Sequence, residues 1–195
     1  MKYRIFFSLL LISLISGSLQ AQTEKPLKPL FVGGSFIIDY SQSSSRFQPT
    51  AGVGLISMFA KKHGVEFGLY QRKYLSSISL RINDGQNSNW VIIDVEERHL
   101  SIPLLYRFQS RWLHASIGPQ MDFFTGWKQV SYNSIATVTD YDRFPAVDFG
   151  IMFKMGHPFQ LSKNLILVPE FRANPTITYG RIYTGLGISL WYQTR

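Results

Sequence analysis

Beyond its first thirty residues or so, the chain alternates apolar and polar positions with a period of two, in segments of strand length. Within 112–126, Leu113, Ala115, Ile117, Met121 and Phe123 share one face, while His114, Ser116, Gln120 and Asp122 share the other. Within 144–154, Val147, Phe149, Ile151 and Phe153 oppose Asp148, Gly150 and Lys154; within 164–173, Leu165, Leu167 and Phe171 oppose Glu170 and Arg172. Further strands are predicted at 29–38, 50–60, 64–82, 90–108 and 184–193. The fold expected from this pattern is all-β: an eight-stranded antiparallel up-and-down transmembrane β-barrel with apolar residues toward lipid and charges inside. Flipping one register would put ionic groups into hydrocarbon, at roughly 2–4 kcal/mol for a basic residue near the midplane, so register is strongly specified.

Connections alternate in length. Lys61 to His63, Gln109 to Arg111 and Met155 to Lys163 are the shorter set, expected on the periplasmic side. Asp39 to Pro49, Asn83 to Asn89, Trp127 to Arg143 and Asn174 to Tyr183 are longer and rich in Ser, Asn, Asp, Gly and Pro, as outer loops are. The third and fourth strands are longer than a tilted crossing needs, so their paired ends should project above the bilayer as a contact surface. Parity also changes there: Val65, Phe67 and Leu69 lie on one face, Ile78, Leu80 and Ile82 on the other, and a β-bulge near Lys73 would reconcile them. Two aromatic girdles are expected: Tyr106, Phe108, Trp112, Phe153, Trp191 and Tyr192 at the periplasmic rim, and Phe36, Trp90, Phe123, Phe124 and Phe144 at the outer one.

The start of the chain adds a compartment. Lys2 and Arg4 precede an apolar run from Ile5 to Ile15, then small and polar residues to Ala21, the layout of a secretory signal. That run falls short of the roughly 20 residues a helical span needs. The expected organisation is a signal peptide at 1–21, a short periplasmic N-terminal segment at 22–28 and an outer-membrane barrel domain at 29–195. A chain of 195 residues suits one domain. Cysteine is absent, which excludes disulfides and a lipid-anchored N-terminal cysteine. Mean hydropathy near zero fits a soluble protein and a barrel equally. Removing Lys2 and Arg4 with the leader lowers the formal charge from +8 to +6, and the remaining basic residues form no aromatic-interleaved stripe, so nucleic acid is not an expected partner.

Candidate chemistry is sparse. The inward set comprises Glu66, Asp122, Asp148 and Glu170 against Arg72, Arg107, Lys154 and Arg172, with His114 beside them. An eight-stranded interior holds little beyond its own side chains, so this balanced set reads as a polar network plugging the barrel. An ion or proton path through those charges is the functional alternative. His114 and Ser116, two apart on one face, resemble the His-x-Ser pair of outer-membrane lipid A deacylases. The same parity turns both inward, away from lipid, and no glutamate follows at that family's spacing. His63, His99 and His157 stand far apart without a neighbouring carboxylate at ligand spacing, so no metal and no cofactor is expected. Gly33-Gly34, Gly52-x-Gly54 and Gly185-x-Gly187 open no helix and serve close packing or curvature.

Pro103, Pro119 and Pro169 fall inside strands of a ring that has no free edge, so each should mark a bulge or a rim. The stretch Leu100-Ser101-Ile102-Pro103-Leu104-Leu105-Tyr106, followed by Ile117-Gly118-Pro119-Gln120, resembles the signature of the PorT-like outer-membrane β-barrel family. The leader, the strand count and a Gly-rich last strand ending in Trp191 and Tyr192 fit it too. The resemblance implies an outer-membrane location and a link to protein secretion and surface export, with no catalytic residue to carry over. The leading expectation is a non-enzymatic integral barrel of the cell outer membrane, structural or accessory. Its expected partners are outer-membrane lipid, a protein at the outer loops, and the barrel-insertion machinery, which would read Gly187, Leu190 and Tyr192. Two other classes stay open: a lipid-modifying barrel enzyme, and a soluble lipocalin-like periplasmic barrel that would hold a ligand and face its charges outward.

Overall fold

The computed structural model describes residues 28–41, 46–84, 87–131, 138, 141 and 143–194. The expected signal peptide and nearly all of the segment 22–28 lie outside the described residues. Among the described residues nine strands form one antiparallel sheet: β1 (Leu30–Ser41), β2 (Arg46–Met58), β3 (His63–Asp84), β4 (Asn87–Gln109), β5 (His114–Gln129), β6 (Val147–Gly156), β7 (Phe159–Ser162), β8 (Leu165–Pro175) and β9 (Ile182–Gln193). Sequence neighbours pair with one another except β6 and β7, and β1 closes on β9 while β6 closes on β8.

Nine strands make eight lanes because β7 continues β6. Gly156 pairs with Glu170 and Phe159 with Leu167, one unchanged register on either side of His157-Pro158. The expected connection from Met155 to Lys163 is therefore mostly strand, and the turn contracts to Lys163-Asn164. Three of the four outer connections are shorter than expected as well, as where β1 reaches Ser41 and β2 starts at Arg46, while the one between β5 and β6 keeps its length and shifts to 130–146.

Following the pairing around the ring fixes its stagger. Leu30 leads through Ser57, Val65, Tyr106, Ile117, Phe153, Ala173 and Thr184 back to Tyr40, ten residues further along β1. Strands of a ring so staggered tilt by roughly 35–45° to its axis, leaving an interior just wide enough for side chains.

Facing follows the alternation. Val32, Val53, Val65, Leu104, Ile117, Ile151, Leu186, Ile188 and Leu190 are exposed on the outside, where lipid replaces water. The soluble lipocalin-like alternative needs the reverse and is set aside. Inside, Phe31, Ile56, Met58, Ile166, Val168 and Trp191 form an apolar cluster at the end with the short turns. Trp191 is 1% exposed and belongs to this interior, not to the girdle expected of it. Gly33 and Gly54 make the room: a Cβ on either would stand 2.5 and 2.9 Å from the Trp191 ring. Phe124 also leaves the expected girdle, its ring meeting His99 at 5.6 Å.

There is no bulge near Lys73. The β3–β4 register is constant from His63↔Phe108 to Asp84↔Asn87, and Tyr70, Arg72 and Tyr74 keep facing inward. Parity changes because the surroundings change. The β2–β3 pairing ends at Ala51↔Gln71, and beyond it Gln71, Ser77, Ser79 and Arg81 face out while Val91, Ile93 and Val95 are buried. A ribbon standing in water hides its apolar face, as the strands below it in lipid do not. The side chains of Leu80 and Ile82 lie outside the described set.

The irregularity lies in β5 instead, where Arg98 pairs with Gly126 but His99 with Phe124, leaving Thr125 as the extra residue. Gly126 takes φ 152°, a conformation that disfavours a side chain. None of the three prolines sits in a bulge, and Pro103 is inward and buried. The ladder instead pauses beside each without changing register: β3–β4 opposite Pro103, β4–β5 opposite Pro119, and the β6–β7 break opposite Pro169.

Candidate functional site

All nine residues of the expected interior set are buried: Glu66, Arg72, Arg107, His114, Asp122, Asp148, Lys154, Glu170 and Arg172. The tertiary structure sorts eight of them into two layers.

The lower layer centres on Glu66 of β3. Its carboxylate accepts from Arg107 Nη1 at 2.7 Å, Ser116 Oγ at 2.8 Å and Lys154 Nζ at 2.7 Å, from β4, β5 and β6. Lys154 also lies 3.2 Å from Glu170, and the Trp191 ring covers both Arg107 and Lys154, 5.6 and 5.9 Å from its centroid. Arg107 Nη2 donates to His114 Nδ1 at 2.6 Å. An arginine can only donate, so this nitrogen of His114 accepts and carries no proton.

The middle layer joins Asp39, Arg72, Asp122 and Arg172. Arg172 grips Asp39 with two nitrogens, Nε to Oδ1 at 2.8 Å and Nη2 to Oδ2, and Thr50 donates to the same carboxylate at 2.6 Å. Arg72 stands between Asp122 at 3.4 Å and Asp39 at 3.7 Å and donates to Asn174. Tyr74 donates to Asp122 at 2.7 Å and stacks on Tyr183 with centroids 4.6 Å apart. Arg72 lies against both rings. Asp148 faces inward but pairs with none of the expected bases, and its Oδ1 accepts no hydrogen bond from the described residues.

A third layer, absent from the sequence-based set, caps the outer end. Glu97 accepts from His99 Nε2 at 3.1 Å, Ser76 Oγ at 2.7 Å and Tyr141 Oη at 2.5 Å, and pairs with Arg143; Arg181 lies 3.8 Å away. Arg143 and Arg181 flank the Tyr179 ring at 4.0 and 5.3 Å. Burial pushes the Tyr141 phenol above its ordinary value, which keeps its proton available for Glu97. Extending the odd parity of Arg107 along β4 through His99 and Glu97, and that of Ile37 along β1 to Asp39, is the signal that would have found these residues.

The chemistry of the interior is that of ion pairs satisfied by side chains. Removing a charge from water costs several kcal/mol per ion, and only close partners and hydrogen bonds offset it. His114 and Ser116 do not form a base–nucleophile couple, because Ser116 donates to Glu66 and His114 accepts from Arg107. A basic cleft of about 530 Å³ opens below His114, lined by Lys61, Lys62, Arg111, Trp112 and His157. Among the described residues no group of three His, Asp or Glu side chains could hold a metal ion.

No protein-family model matches the chain, and no curated protein matches it in sequence. Solved structures do match its fold. Neisserial surface protein A (NspA) superposes with a TM-score of 0.51 at 10% identity, over 86% of this chain and 97% of that one. The outer membrane protein OprG from Pseudomonas aeruginosa superposes with a TM-score of 0.52 at 12% identity, over 85% of this chain and 96% of that one. With an apolar exterior around a charged interior, this fold is that of an integral outer-membrane β-barrel.

Proposed function

We propose that this outer-membrane barrel is a non-enzymatic accessory of protein secretion or surface export, the role that its PorT-like signature implies. The observation that carries the reading is the β3–β4 ribbon. It continues past the last rungs shared with β2, at Ala51↔Gln71, and with β5, at Val95↔Gln129. From Ser76, opposite Val95, to Asp84 the ribbon is free of both neighbours, roughly 25 Å of strand. Its outer face presents Trp90 and Ile92, 67% and 66% exposed, in an otherwise polar setting. Tryptophan is among the residues that dominate protein-docking hot spots, and here it stands beside a second exposed apolar side chain. The ionic plug beneath explains why the barrel itself would conduct nothing large.

The test places a photo-crosslinking residue at Trp90 in cells and measures surface export in a Trp90→Ser/Ile92→Ser variant. The expected result is a discrete crosslinked protein and reduced export from a normally assembled barrel. Unchanged export with no crosslink overturns the reading.

A further inference from the structure

Immediately above the lipid-facing wall, three basic side chains from three adjacent strands converge on one carboxylate oxygen. Lys73 of β3, Arg98 of β4 and Lys128 of β5 approach Glu96 Oε1 at 3.4, 3.6 and 3.8 Å. Lys73 lies directly opposite Arg98 in the β3–β4 pairing, and Glu96 lies directly opposite Lys128 in the β4–β5 pairing. Like charges set directly across a strand pair are destabilising, and one carboxylate cannot neutralise three cations. The cluster therefore carries two positive charges more than its own structure needs.

Its position narrows what those charges meet. Two residues further down each strand or so, the same outward face presents Gln71 and Leu69 on β3 and Leu100 and Ile102 on β4, where the wall turns apolar. Lys128 shares this face because of the β5 bulge: with Thr125 as the extra residue, an even-numbered position that would point inward is turned out. Lys73, Arg98 and Lys128 are 37%, 45% and 53% exposed, whereas Glu96 is 17% exposed, so the cations form the open surface and the carboxylate its floor. Beside them Arg46 pairs with Asp94 at 3.8 Å, which adds no net charge. The patch looks sideways along the membrane plane and not into the barrel mouth. An anion reaches it in register with the wall when it is carried by a molecule whose tails already lie in the bilayer.

We propose that Lys73, Arg98 and Lys128 form a headgroup site for a phosphate-bearing lipid, whose acyl chains lie along the adjoining apolar wall of β3, β4 and β5. Basic residues at a membrane surface attract anionic lipid, and here three act on one headgroup.

The experiment uses the full folded barrel in phosphatidylcholine nanodiscs doped with lipid A, counting retained lipid A per protein by native mass spectrometry. The variants are Lys73→Gln/Arg98→Gln/Lys128→Gln, Arg98→Gln alone, Glu96→Gln, and Lys61→Gln/Lys62→Gln/Arg111→Gln at the opposite rim. Heat-modifiable gel mobility confirms that each is folded. Retention should fall about tenfold or more in the triple rim variant. It should fall measurably in the single one, hold or rise in Glu96→Gln, and stay unchanged in the opposite-rim control. Equal retention in wild type and in both the triple and single variants overturns the proposal. So does full displacement of lipid A by millimolar inorganic phosphate, which would mark a free-anion site.

Discussion

Arg172 on β8 holds Asp39 on β1 through two parallel hydrogen bonds, spanning β9 that lies between them. A guanidinium matches a carboxylate in this two-pronged geometry as an ammonium does not. The pair ties the two strands flanking β9, and it sits beside Arg72, which depends on the same carboxylate. Asp39→Ala should thus leave two buried arginines short of a partner and destabilise the barrel by about 3–5 kcal/mol. Urea titration followed by gel mobility measures this, and Arg172→Lys should show a smaller loss of the same sign.

Trp191 over Gly54 is a packing relationship that a double-mutant cycle can isolate. Gly54→Ala should be destabilising by about 1–3 kcal/mol in the native background, because the new methyl overlaps the indole. In a Trp191→Leu background the same change should cost measurably less, since the crowding atoms are gone. Equal costs in both backgrounds would show that the two residues do not compete for space.

Ile92 and Ile93 are neighbours with opposite surroundings, 66% and 0% exposed. An aspartate at Ile93 would be buried without a partner and should open the ribbon to limited proteolysis while the barrel below stays intact. Ile92→Asp should leave the digestion pattern unchanged.

Deleting Leu190 to Arg195 removes the rungs that β9 shares with β1, from Phe31↔Gln193 to Gly34↔Leu190, and with β8, from Leu165↔Tyr192 to Leu167↔Leu190. The ring is then open at its periplasmic end, and Trp191 is lost from the apolar cluster. Membrane fractionation should find the shortened chain absent from the outer membrane, with no heat-modifiable band. Normal assembly would sink both the structural argument and the role of Gly187, Leu190 and Tyr192 as an insertion signal.

Facing was legible residue by residue in β5, β6 and β8, because a charge on a period-two lattice can only take the side away from hydrocarbon, and that choice is made locally. The same rule stated the burial of Glu66, Arg107, Lys154 and Arg172 in advance. It failed where the solvent changed along a strand: above Gln71 the apolar side turns inward, so a break in pattern read as a bulge was a passage from lipid to water. It missed the companions of the charges too. That Arg172 meets Asp39 and that Lys154 meets Glu66 depends on the ten-residue stagger from Leu30 to Tyr40, which is the sum of every register around the ring and belongs to no single strand. Alternation along each strand thus determined which residues enter the barrel, and closure of the ring decided which of them touch, because ion pairing acts over a few ångströms that only the closed circuit of registers can set.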